Sequence, residues 1–284
     1  MAAAMQVAHG SRMTFGPVSG HRGNGIDFKR LLQGTIGAPD NFEFSLVRTA
    51  DDYYTPRHRH NFDQVRYCLE GVMNYAPGKN LEAGMVGYFP EGTFYGPQQD
   101  TTSSITLVLQ MGGSSGHGFM SYDQLNAGYE QLCDYGNFEK GVFTRTTSDG
   151  RAIRKDSYEA VWEHVMRSEV EYPPPRFEEP IVMFPENFKW MKISHGFEMK
   201  RLGAFGERGL ELTLIRGIRG ARNTIHNLAA CELLFVMEGV LRASNSQDWI
   251  GKHSALRIDA SDSGMSLEID QDATMFAITL PLFG

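Results

Sequence analysis

The chain repeats itself, and that repeat constrains its fold more than any single motif. FSLVR (44–48) lies over LTLIR (212–216), and RYCLEGVM (66–73) lies over LFVMEGVL (234–241), both at an offset of 168 residues. The same offset sets His58 over His226 and Gln64 over Glu232 without a gap. Chance superposition of two valine-rich strand pairs would match apolar positions only. Here a histidine and a Gln/Glu position stay in phase with them, which points to a duplicated structural unit.

The repeated material is strand-like. Runs rich in Val, Ile, Phe, Tyr and Thr are separated by turns that use many of the 31 glycines. FEFSLVRT, QVRYCLEGVMNYA (64–76) and ITLVLQM (105–111) belong to the first unit. LELTLIRG (210–217), ELLFVMEGVLRA (232–243) and MFAITLPL (275–282) belong to the second. The middle of the chain changes period. SYDQLNAGYEQLCDYG (121–136) has helical spacing and ends on glycine. Asp156 or Ser157 stands ready to cap a second helix over 157–172, which Pro173, Pro174 and Pro175 must terminate. The expected fold class is therefore all-β: two β-barrels joined by a short helical connector. The expected boundaries are an N-terminal extension (1–25), a first barrel (26–120), a helical and proline-rich connector (121–180) and a second barrel (181–284).

One stretch of the first unit carries chemistry. It reads His58-Arg59-His60, three residues, Gln64, six residues, Gly71; then Gly84, five residues, Pro90-Glu91-Gly92, two residues, Tyr95. His58 and His60 are two apart, so on extended chain they leave the same face, and Gln64 shares their parity. Gly71 and the Pro90-Glu91-Gly92 step are turn positions. Two imidazoles and an oxygen donor converging in a small barrel suit Fe, Zn, Ni or Cu.

This spacing resembles the two motifs of the cupin superfamily: a His-x-His…Glu…Gly stretch followed by a Gly…Pro-x-Gly…His stretch. The resemblance implies two jelly-roll barrels, a bicupin, with a divalent transition metal, Fe first and Zn, Mn or Ni next. It places the ligands at His58, His60, Gln64 and Tyr95, with Tyr95 also available as general acid or base. The departures are informative. The glutamate position holds Gln64 and the last histidine position holds Tyr95. That leaves two neutral imidazoles, an amide and a phenol, without the carboxylate that lowers the charge of a bound dication. The second unit keeps Gly220, His226, Glu232 and Gly239, but Leu228 stands at the middle histidine, Arg257 at the proline position, and no Pro-x-Gly follows. It reads as a structural or dimer-forming barrel.

Parity gives a further expectation. Beyond the Gln64 position, the inward residues at +2 and +4 are Arg66 and Cys68; the second unit has Leu234 and Val236 there. An arginine inside a barrel is costly unless paired. With no acidic partner evident in sequence, Arg66 is expected to bind an anionic substrate. Cys68 reads as a small apolar filler. The glycine-rich stretch 112–118 lacks a GK[ST] step and is a loop rather than a phosphate cradle. Trp162, Val165 and Met166 have the spacing of a core stripe, while His164, His195 and His253 stand alone. Arg216, Arg219 and Arg222 read as a solvated turn.

Composition narrows the partners. Thirty-four acidic against 27 basic residues, net −7, supply no excess to neutralise phosphates, so nucleic acid is not expected. No apolar run reaches membrane-spanning length, and the first residues have no apolar core of a signal peptide. Three cysteines without CxxC spacing suit a reducing cytoplasm. The expected activity is a metal-dependent enzyme acting on a small organic acid or aromatic substrate, a dioxygenase first, with isomerase, decarboxylase or lyase chemistry open. The alternative is a non-catalytic bicupin that binds a small molecule. A homodimer is the expected assembly.

Overall fold

A computed structural model describes residues 5–17, 21–22, 25–116, 119–225, 230–244, 246, 248–262 and 264–282. The chain divides into two compact units, residues 15–183 and residues 1–14 with 184–284. Both are built on antiparallel sheets, and the predominance of strands accords with an all-β class.

The repeat is visible in strand order. In the first unit, Ser104–Gly112 lies between Phe62–Ala76 and Phe42–Thr49, with Val86–Phe89 outside the former and Ile26–Gln33 outside the latter. In the second unit, Ser266–Thr279 lies between Glu232–Ala243 and Leu210–Gly217, flanked in the same sense by Ala255–Ile258 and Phe197–Phe205. The matching glycines explain why the register repeats. Gly71 and Gly239 have φ of 74° and 82°. A Cβ at either would come within 2.2 Å of a backbone carbonyl on the neighbouring strand, Ser103 O or Asp272 O. Only glycine meets both demands, positive φ and close backbone approach. Each long strand therefore twists at the same point.

The second unit buries a continuous apolar interior, with Leu234, Val236, Ile258, Met275 and Ala277 in one cluster. It also takes a strand from the far end of the chain: Gln6–Ala8 pairs with Ala255–Arg257. The first unit is extended by helices. Helix α1 (Tyr122–Cys133) starts at a capping box in which Ser121 and Gln124 satisfy each other's backbone N–H. Helix α2 (Ser157–Met166) is capped by the Asp156 carboxylate, which accepts from the N–H of Tyr158 and Glu159. It ends before the prolines, because Arg167 turns left-handed (φ 59°) and returns its N–H to Glu163. The segment expected as a connector is part of the first unit. Phe62, at the start of the long strand, packs with Phe119, Leu125, Tyr158 and Val161, and Trp162, Val165 and Met166 lie against that cluster. No helix among the described residues is long and apolar enough to cross a membrane.

Candidate functional site

The first unit holds a partly open cavity of about 110 Å³. The face predicted by parity is the face that lines it: Phe62, Gln64 and Arg66 point in, with Val108 and Gln110 opposite them on the neighbouring strand. His58 and Tyr95 are brought together by a short antiparallel bridge, His58 N–H to Tyr95 O at 2.9 Å and Tyr95 N–H to His58 O at 3.0 Å. Cys68 is fully buried beside Met73 and Phe89, and burial pushes its thiol up to about 11. It is packing material, not a nucleophile.

The hydrogen bonds fix who donates and who accepts. Arg66 can only donate. Its Nε and Nη2 reach Gln64 Oε1 at 3.0 and 2.7 Å, so the guanidinium decides which way the Gln64 amide faces. Gln64 Nε2 must then donate to His60 Nδ1, 3.2 Å away. His60 Nδ1 is an acceptor, and the ring proton of the neutral imidazole sits on Nε2. Arg66 Nη2 also donates to Tyr95 OH at 2.9 Å, and that phenol oxygen lies 3.5 Å from Gln64 Oε1, to which its proton can be given, and 3.2 Å from His60 Nδ1. The guanidinium lies 4.5 Å from the Phe89 ring centroid, and its Nη1 reaches only the thioether of Met73 at 3.7 Å.

Electrostatics keep the imidazoles and the phenol neutral. Burial holds His58 well below its ordinary pKa, reinforced by the charges of Arg22 and Arg66. Burial, then His58 and the same two arginines, does so for His60. Burial raises Tyr95, against the pull of both arginines. Asp100 is the acid within the field of Arg66; it accepts from Asn74 N–H and does not bond the guanidinium.

The four residues expected as metal ligands are thus together, but their donor atoms do not fit a divalent metal in this arrangement. Both acceptor sites of Gln64 Oε1 are taken by Arg66, Tyr95 oxygen accepts from Arg66, and the lone pair of His60 Nδ1 is engaged. Of the four, His58 keeps a ring lone pair without a partner among the described residues, on Nε2, because its Nδ1 donates to Pro56 O at 2.7 Å. A dication would meet neutral donors with a fixed guanidinium already among them. Among the described residues no cluster of three His, Cys, Asp or Glu side chains could hold a metal. Glu232 of the second unit is partly buried, and His226 and Leu228 lie outside the described residues.

Sequence reasoning missed the cavity's far wall. Arg22 is buried, forms a two-pronged pair with Asp156 at 2.9 and 3.3 Å, and lies over the Tyr158 ring. Helix α1 contributes Tyr122 and Leu125 to the same wall. The stretch 112–118 is held where described by Glu91, which accepts from Ser115 N–H at 2.8 Å and Ser115 Oγ at 2.6 Å. A carboxylate already occupies the place a phosphate would need. His117 and Gly118 lie outside the described residues.

No protein-family model matches the sequence, and no curated protein matches it. Solved structures do match the fold. A candidate dioxygenase from Nostoc punctiforme superposes with a TM-score of 0.64 at 12% identity, covering 99% of this chain and 85% of that one. A candidate glyoxylate-induced protein from Pseudomonas aeruginosa gives 0.62 at 12%, covering 100% and 92%. A two-residue deletion mutant of oxalate decarboxylase from Bacillus subtilis gives 0.58 at 14%, covering 96% and 76%. The fold is that of a bicupin. Within this fold the first unit brings His58, His60, Gln64 and Tyr95 together, with Arg66 among them.

Proposed function

We propose that the first barrel binds a small organic anion through Arg66, without a metal. The observation that supports it is the state of the guanidinium. It lines the cavity, and among the described residues no carboxylate is a hydrogen-bond partner and the Nη1 edge reaches only a thioether. Gln64 and Tyr95 hold the other edge, so the fork is oriented before the ligand arrives. His58 Nε2 is the acceptor available to a proton carried by the bound molecule.

A second reading is a metal-dependent dioxygenase acting on the same acid. Two things favour it: the tautomer of His58, which a metal-bound imidazole also needs, and a fold shared with a candidate dioxygenase. It requires Arg66 to leave Gln64. Elemental analysis of protein purified without chelator, together with calorimetric titration by small carboxylates, separates the two. Carboxylate binding that is lost in Arg66→Leu, with metal well below stoichiometric, is the expected result. Stoichiometric Fe, Mn, Ni or Zn that disappears in His58→Ala would overturn it in favour of the metal enzyme.

A further inference from the structure

The walls of the cavity say more about the ligand than its anchor does. Two lining side chains carry fixed charges, Arg22 and Arg66. Arg22 is matched by Asp156, and Asp156 is held in turn by the first turn of α2, where it accepts from two backbone N–H groups. Its charge is therefore spent within the wall. Among the described residues Arg66 has no such match in its hydrogen-bond partners, so the described lining offers one uncompensated fixed cation. A second anionic group on the ligand would have to draw Arg22 away from Asp156 and leave that carboxylate buried with its neighbour gone.

The rest of the lining is largely apolar and aromatic. Phe62 meets Phe119 and Tyr158 edge-on, at ring-centroid distances of 5.2 and 5.8 Å, and Phe28 meets Tyr122 at 4.8 Å. An anion of two or three carbons would touch Arg66 and leave these rings facing water, which forfeits their burial. At ~10–15 Å³ per water-sized site, the cavity has room for several waters or an organic molecule of about ten non-hydrogen atoms. A further polar group waits there. Thr55 is buried, lines the cavity, and its hydroxyl has no hydrogen-bond partner.

We propose that the ligand is a monocarboxylate on an apolar, ring-sized body, its carboxylate on the open edge of Arg66 and its body against the Phe62–Phe119–Tyr158 wall. This rests on the anion-binding reading above and narrows it. Oxalate, named for one of the fold relatives, is the wrong shape and charge for such a cavity.

Calorimetric titration of the intact protein with benzoate, phenylacetate, succinate, oxalate and neutral benzamide tests both layers. Benzoate or phenylacetate is expected to bind at least about tenfold tighter than succinate, oxalate or benzamide. Arg66→Leu is expected to abolish that preference over benzamide, and Arg66→Lys, which keeps the charge but loses the fork, to weaken it. Succinate or oxalate binding as tightly as benzoate, and dependent on Arg66, would overturn the ligand class and leave the anion reading intact. Benzamide equal to benzoate, or benzoate unaffected by Arg66→Leu, would overturn the anion reading itself. Absence of binding by every probe to a protein that still unfolds cooperatively would overturn both.

Discussion

The two barrels share a frame and differ in what fills it. At matching positions the first turns Gln64 and Arg66 into its cavity, while the second has a half-buried Glu232 and places Leu234 in its core. In the second, Leu234 and Val236 join Ile258 and Met275 in a fully buried apolar cluster. In the first, Arg66 cannot be swallowed that way. Its charge must keep hydrogen-bond partners and room for a counter-ion, so the interior is organised around it. The cavity of the first unit is arranged around one inward arginine and the amide and phenol that receive it.

The comparison can be broken first at the shared frame. Gly71→Val and Gly239→Val each put a side chain where φ is positive and a carbonyl is too close. Each should cost about 3 kcal/mol or more, read as a lower unfolding midpoint or lost expression. A variant that unfolds like the parent would show that the repeat does not fix the register. The second test reverses the difference. Replacing Arg66→Leu, Gln64→Glu and Tyr95→His together removes the internal cation and restores a carboxylate and a third imidazole. That variant should take up Mn or Zn with micromolar affinity, about 8 kcal/mol, by equilibrium dialysis, while the parent does not. Parent and variant binding equally would refute the idea that Arg66 excludes the metal.

A smaller effect separates the acids. Burial, with some repulsion from Glu211, pushes Glu232 up to about 7 from an ordinary 4.5. The folded chain holds that proton more tightly than the unfolded one. Stability from this group is therefore greatest below about pH 4.5 and falls as pH rises to 7. Glu232→Gln should remove that fall and be more stable than the parent at pH 8, by about 1–3 kcal/mol in chemical denaturation. Identical pH profiles would mean the carboxyl is better solvated than its position implies. The smallest effect is at Cys68, matched by Val236. Cys68→Val should change stability by less than about 1 kcal/mol and leave ligand binding alone. Lost binding would give the thiol a role that its burial denies.

Much of this was legible in the sequence, for physical reasons that also mark where legibility stops. Strand alternation placed Gln64 and Arg66 on one inward face, and the repeat foretold two units with matching strand order. The cupin-like spacing put Tyr95 at one site with His58, and a short bridge joins the two. The donor set was the harder matter. Spacing says which residues meet, whereas their roles depend on which atoms face each other. The guanidinium's bond to Gln64, two residues away on the same face, settles that. The far wall was beyond reach: Arg22 and Asp156 are 134 residues apart, and nothing local to either announces the pair. Helix α2 stopping at Met166 was equally hidden, since Arg167 adopts a left-handed cap that its residue type does not favour.

The strand Gln6–Ala8 has a consequence in time. Its partners, Ala255–Arg257, are made about 250 residues later, which at roughly 5–20 residues per second is an interval of ~10–50 s on the ribosome. Throughout that interval this strand lacks its native neighbour, and Val7 has no second-unit core to lie against. Its unpaired backbone stays open meanwhile to chaperones and to wrong strands.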